Sequence, residues 1–200
     1  MTKFSVTQNG NPISKKLYNW DEKTKTFSTK EEGLVLDFID IDGVTFNTGH
    51  SCTFNTGSNC TFKTDNYCTF YTGSNCTFNA GSNCAFDTGH YCTFKTGSYC
   101  TFDTGPDCTF RTGYDCTFNT GSDCTFKTNY YCTFDVGENC SLIRSDVKGV
   151  TEIPDNKKIE LNDSGMAGYI FVGEKKEIPT CNGKAVEIDG KKYKLVEVKE

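Results

Sequence analysis

Between residues 44 and 140 the chain repeats one eight-residue alternation of apolar and polar positions, C-T-F-x-T-G-x-x. Cysteine recurs every eight residues from Cys52 to Cys140, and a phenylalanine stands two residues after each cysteine up to Cys132. A fixed short period predicts a stacked architecture in which each repeat touches only its neighbours. Within a repeat the alternation has the period of a strand, whose successive side chains point to opposite faces. The first-position Cys, third-position Phe and fifth-position Thr then share one face. The second-position Thr and the variable fourth position share the other. In the repeat that begins at Cys92, Cys92, Phe94 and Thr96 point one way and Thr93 and Lys95 the other.

The exceptions identify the inner face. Val44 replaces Cys at the first position, and Ala80 and Val136 replace Thr at the fifth. Apolar substitutes at both places predict burial. The fourth position varies over Asn, Lys, Tyr, Asp and Arg, as a solvent-facing site should. Gly at the sixth position ends the strand. Its replacements, Asp65 and Asn129, are residue types that tolerate a left-handed backbone, so a left-handed turn is expected there.

Eight residues make one strand and one corner, so a coil needs more than one octad. The fourth position decides how many. Read every sixteen residues, one column is Asn47, Lys63, Asn79, Lys95, Arg111, Lys127, and the other is Asn55, Tyr71, Asp87, Asp103, Asn119, Asp135. Bases and acids separate completely. Read every twenty-four residues, Lys63, Asp87, Arg111 and Asp135 would share one column. The expected fold is therefore all-β: a flattened, two-sheet parallel β-solenoid with two octads, or sixteen residues, per coil. About six coils at about 4.8 Å per strand give a rod roughly 29 Å long. Facing strands run in opposite directions. The expectation is that the cysteine of one lies against the phenylalanine of the other, with phenylalanine ladders between coils. Neighbouring cysteines of a column would have parallel Cβ vectors, which suits a disulfide poorly, so free and inert thiols are expected.

The chain divides into an N-terminal β cap (1–43), the octad solenoid (44–140) and a C-terminal β-rich cap or small domain (141–200). An uncapped solenoid would expose strand edges. GLVLDFIDIDG leads into the first octad, and Tyr18, Trp20 and Phe27 are expected to pack over that end. SLIRSDV, KIELN, GYIFVG and KAVEIDGKKYKLVEV read as short strands, the last as a hairpin turning at Asp189-Gly190. Cys181 lies off the ladder.

Charge and composition narrow the function classes. The net charge is −5, and residues 44–140 hold four bases and eight acids. That is not the basic footprint of a nucleic-acid binder. The thirteen cysteines contain no C-x-x-C pair and no compact Cys/His cluster, so neither a metal nor a cofactor is expected. His50 and His90 fall in turns and read as solvated. No apolar run is long enough to cross a membrane, and MTKFSVTQNG lacks a signal-peptide core, which points to the cytoplasm or a virion. No nucleophile elbow, P-loop or dinucleotide glycine pattern is present, so the chain reads as a non-enzyme.

The octads, with the lead-in YNWDEKTKTFSTKEEGLVLDF, resemble a group of octapeptide-repeat proteins encoded by bacteriophages and their bacterial hosts. The resemblance covers nearly the whole chain and implies a phage or prophage context, with no functional residues to carry over. A more distant architectural likeness is to pentapeptide-repeat proteins, some of which mimic duplex DNA. Three surface functions follow. The first is a binding or structural module with a basic stripe (Lys63, Lys95, Arg111, Lys127) and an acidic stripe (Asp87, Asp103, Asp135), whose partner is a protein or a second copy paired through solenoid ends or faces. The second is an inhibitor of a host defence or DNA-binding protein, acting as a nucleic-acid mimic; duplex DNA carries denser charge than these aspartates. The third is ice binding through the outward threonines from Thr45 to Thr133, whose neighbouring fourth positions are often charged or bulky.

Overall fold

The computed structural model describes residues 3–148, 150–163, 165–172, 185–188 and 191–194. Successive octads alternate between two parallel sheets, so residue i pairs with residue i+16. Thr77, Phe78 and Asn79 lie beside Thr93, Phe94 and Lys95, and Phe86 and Asp87 beside Phe102 and Asp103. The fold is the flattened solenoid with sixteen residues per coil. One sheet, here the basic sheet, holds Thr61–Lys63, Thr93–Lys95, Thr109–Arg111 and Thr125–Thr128 among its strands. The acidic sheet holds Ala85–Thr88, Thr101–Thr104 and Thr133–Val136 among its strands.

The stack makes about seven turns, more than the octads alone supply, because flanking segments join it in parallel. Thr26–Thr29 pairs with Thr45–Asn47, Leu34–Phe38 with Thr53–Thr56, and Ser141–Arg144 with Thr125–Thr128. These segments keep the inner-face chemistry without the octad's letters: Phe27, Leu36 and Leu142 occupy the phenylalanine register.

The core is a phenylalanine lattice. Along a sheet the rings stack in parallel, as between Phe78 and Phe94, whose centroids are 4.8 Å apart at 2°. Across the interior they meet edge to face, as between Phe86 and Phe94 at 5.3 Å and 78°. Both geometries suit the ring quadrupole. This corrects the expected Cys-against-Phe contact. In facing strands that run in opposite directions, the middle residue of the set one-three-five meets its own counterpart, and the first meets the fifth. Thr128 Oγ1 accordingly lies 3.0 Å from Cys132 Sγ. The ladder cysteines are free and buried. Each thiol is held in its corner by main-chain carbonyls: Cys100 Sγ donates to Ser98 O at 3.5 Å and Gly81 O at 3.6 Å.

The corners differ from expectation. The left-handed residue is the eighth of each octad, not the sixth: Asn59, Tyr67, Asn83, Tyr99 and Asp115 all have φ between 53° and 61°. Most of the sixth-position glycines are required for space, Gly49 being an exception. A Cβ on Gly97 would stand 3.0 Å from Ser82 N and closer still to Ser82 Oγ of the coil before. The seventh position knits the corners together, since Ser82 Oγ accepts from Ser98 N and Ser98 Oγ from Tyr114 N.

Both ends are closed by antiparallel strands. At the start, Ser5–Gln8 lies against Leu34–Phe38 and Tyr18–Asp21 against Thr26–Thr29. Tyr18 stacks on Phe27 at 5.2 Å, and Phe4 lies between Phe38 (4.3 Å) and Trp20 (5.1 Å). At the other end Val150–Glu152 covers Ser141–Arg144, and Lys158–Leu161 covers Thr133–Val136. Arg144 stands where earlier coils have the inward threonine. It is 1 % exposed. Its Nε and Nη2 donate to Asp146 at 3.0 and 2.6 Å, Nη1 to Met166 O and Gly168 O at 2.6 and 3.4 Å, and Nη2 to Asp163 O at 3.1 Å. Ala185–Ile188 and Lys191–Lys194 pair as a hairpin. The expected turn residues Asp189 and Gly190, and Cys181, lie outside the described residues.

Candidate functional site: the charged outer faces

Each outer face carries two columns, the second and fourth octad positions, at the coil spacing of about 4.8 Å. On the basic sheet the second-position column is unbroken threonine from Thr26 to Thr125. Beside it runs Asn47, Lys63, Asn79, Lys95, Arg111, Lys127. Lys95, Arg111 and Lys127 occupy three consecutive strands, while Asn79 separates them from Lys63. All four bases are exposed.

On the acidic sheet the corresponding column is Asp37, Asn55, Tyr71, Asp87, Asp103, Asn119, Asp135. Asp87 and Asp103 are strand neighbours, and Asn119 separates Asp135 from them. Two of its four carboxylates, Asp103 and Asp37, are relieved by neighbouring asparagines. Asn119 Nδ2 donates to Asp103 Oδ1 at 3.2 Å, and Asn55 Nδ2 to Asp37 Oδ1 at 3.3 Å.

The basic column has no such relief. Among the described residues the ion pairs are His50 with Glu32 and Arg144 with Asp146, and neither involves Lys95, Arg111 or Lys127. Asp107 and Asp123, which precede the strands of Arg111 and Lys127, form no ion pair with them. Like charges directly opposite on neighbouring strands repel, so this column holds unspent electrostatic potential. The pairing of His50 with Glu32 and the contact of His90 Nδ1 with Ser74 Oγ at 3.1 Å show both turn histidines in local polar contacts.

The interior offers little chemistry to a ligand. Burial pushes the Cys52 thiol up. Further along each column the neighbouring thiols influence one another: Cys108 first, and then Cys76, hold the Cys92 thiol down, and both Cys108 and Cys76 are themselves raised by the thiols on their two sides. Ionisation of one thiol therefore suppresses that of its neighbours. The thiols are closed off from solvent, whereas reactive cysteines are partly exposed. Among the described residues no group of three or more His, Cys, Asp or Glu side chains could hold a metal ion, and no helix is long and apolar enough to cross a membrane. An open concavity of about 660 Å³ lies beside the last coil, lined by Asn139, Cys140, Ile153, Pro154, Asp155 and Tyr169.

One surface feature escaped the reading of the sequence. The edge where the chain leaves the basic sheet for the acidic one carries tyrosines. Tyr99 meets Tyr114 at 5.3 Å and 76°, Tyr114 stacks on Tyr130 at 5.3 Å and 9°, and Tyr130 meets Tyr131 at 5.2 Å and 82°. Taken every sixteen residues, the seventh and eighth positions bring these residues onto one edge.

No family model, curated protein or solved structure matches this chain.

Proposed function

We propose that the chain is a non-enzymatic β-solenoid binding module that presents its basic sheet to an acidic surface of a protein partner. The observation that carries this reading is the asymmetry between the two faces. Among the described residues three bases stand on consecutive strands without an ion pair, whereas in the acidic column Asn119 and Asn55 donate to Asp103 and Asp37. A negatively charged partner would relieve the repulsion within the basic column, and a rigid sheet loses little entropy on binding. The resemblance of the octads to phage and prophage proteins supports a role in the bacterial cytoplasm or on a virion.

The mimicry reading is weaker on this surface. Tyr71 and Asn119 interrupt the acidic column, while a duplex presents about one charge per 1.7 Å. The unbroken threonine column favours ice binding in one respect, but Lys95, Arg111 and Lys127 stand beside it.

The test is an affinity capture from lysate of phage-infected bacteria, with the native chain beside a Lys95→Glu/Arg111→Glu/Lys127→Glu variant. A protein held by the native chain and released by the variant supports the reading. A protein held equally by both removes the basic sheet from consideration.

A further inference from the structure

The tyrosine edge is costly for a single copy. Tyr67, Tyr99 and Tyr131 have φ of 61°, 59° and 56°. A left-handed backbone costs an ordinary L-residue roughly 1–2 kcal/mol, and asparagine or aspartate less. Other octads use those cheaper residues at the same place, as at Asn83 and Asp115. Burial does not compensate the tyrosines, because their exposures are 61 %, 52 % and 43 %. Ring contacts of Tyr99 with Tyr114 and of Tyr131 with Tyr130 return part of that cost within the chain, and the aromatic surface still exposed offers a further gain outside it.

We propose that two copies of this chain pair side by side through this edge, with parallel axes related by a two-fold along the rod. The seventh position of each corner lies nearer the basic sheet and the eighth nearer the acidic sheet. A two-fold along the rod exchanges these sides at equal height, so the seventh position of one copy meets the eighth of the other in the same coil. The residues present there are complementary in size. Asn66 meets the partner's Tyr67, Ser98 the partner's Tyr99, and Tyr114 the partner's Asp115. Only Tyr130 meets another tyrosine, the partner's Tyr131, next to the stack already formed by Tyr114 and Tyr130.

Charge selects the same arrangement. On each broad side of the pair the basic sheet of one copy adjoins the acidic sheet of the other. Antiparallel rods would place basic sheet beside basic sheet. The contact is isologous and closes as a dimer. Tyr67, Tyr99 and Tyr131, 61 %, 52 % and 43 % exposed, offer roughly 300–400 Å² per copy, at most about half of what a standard interface buries on each partner, and the polar corner residues between them add to it. The opposite edge carries one left-handed tyrosine, Tyr91, and no such array. The pairing uses the narrow edge and leaves the basic sheet outward, so it stands or falls independently of the partner proposed above.

The experiment is sedimentation equilibrium of the native chain and of a Tyr67→Asn/Tyr99→Asn/Tyr131→Asn variant. Asparagine suits the left-handed backbone, so the variant should still fold, which a cooperative melt and an unchanged far-ultraviolet circular dichroism spectrum would show. The native chain is expected at twice its chain mass, with dimer affinity falling at least about tenfold in the variant. Native protein at its chain mass in the micromolar range, or a variant that dimerises equally well, overturns the proposal. Orientation is read by photo-oxidative tyrosine cross-linking of mixed light and heavy-isotope chains. Inter-chain links between Tyr130 and Tyr131 are expected; inter-chain links between Tyr67 and Tyr131 would show antiparallel rods and overturn the arrangement.

Discussion

Replacing Arg144 with methionine should loosen the C-terminal cap while leaving the octads intact. The five N–H groups of the guanidinium make five hydrogen bonds, two to Asp146 and three to the main chain of the segment from Asp163 to Gly168. Methionine keeps most of the apolar stem and removes every donor. Breaking a buried ion pair by removing one partner typically costs about 3–5 kcal/mol. Asp146 retains 14 % side-chain exposure and also accepts from Gly165 N at 3.0 Å, so part of its charge remains solvated. The lower half of that range, about 3 kcal/mol, is therefore expected, a fall of roughly 6–12 °C in melting temperature for a chain of this size. Urea and thermal unfolding of Arg144→Met, Asp146→Asn and the double variant would measure it. The double variant should lose less than the sum of the singles. A cost below about 1 kcal/mol for Arg144→Met, or strict additivity, would refute the view that this arginine fastens the cap. The pH dependence has a definite sign. Arg144 first, and then the Gly165 amide, hold the Asp146 carboxyl below 3.8. Its stabilisation is present above about 3.8 and lost as pH falls through the lower folded value. That part of the acid destabilisation should vanish in Asp146→Asn.

Three further outcomes are expected. Phe94→Ala removes a ring that stacks on Phe78 and Phe110 and meets Phe86 and Phe102 edge to face, and should cost about 3–5 kcal/mol in urea unfolding, with Phe94→Leu costing less than half as much. Deleting sixteen residues (92–107) keeps every later strand on its own sheet and should leave a cooperative fold, whereas deleting eight (92–99) moves Arg111 and Lys127 to the acidic side and should uncouple the C-terminal cap; equal melting of the two deletions would contradict a sixteen-residue coil. The twelve ladder thiols should resist a disulfide reagent in the native protein and react on unfolding, and fast native modification of several of them would contradict their burial.

Much of the architecture was legible because one period governs both the core and the surface. The alternation Cys, Phe, Thr marks the inner face, and the separation of Lys95, Arg111 and Lys127 from Asp87, Asp103 and Asp135 requires two octads per coil. Other features depend on geometry that letters do not show. Glycine at the sixth position reads as a left-handed residue, yet Gly97 is there because Ser82 of the preceding coil approaches too closely for a Cβ. The left-handed place falls to the eighth residue, where tyrosine hides the signal that asparagine would have given. Phe27, Leu36 and Leu142 extend the stack without the octad motif, so its length follows from the shape of the core and not from motif matches. Arg144 looks like a surface residue in SLIRSDV and is among the most buried side chains, because the last coil must supply donors to the segment that closes it. The charged columns were readable as columns. That Asn119 relieves Asp103, while Lys95, Arg111 and Lys127 find no ion-pair partner among the described residues, required side-chain geometry.

The most direct test of the central claim, that the unpaired basic column is the binding face, compares partner affinity across two surface variants of opposite faces. The measurement is the dissociation constant of the captured protein for the native chain, for Lys95→Glu/Arg111→Glu/Lys127→Glu, and for Asp87→Lys/Asp103→Lys/Asp135→Lys. The account predicts a loss of at least about tenfold for the first variant, a steep weakening of native binding with salt, and little change for the second. Equal affinity for the native chain and the first variant, or a loss confined to the second, would contradict it.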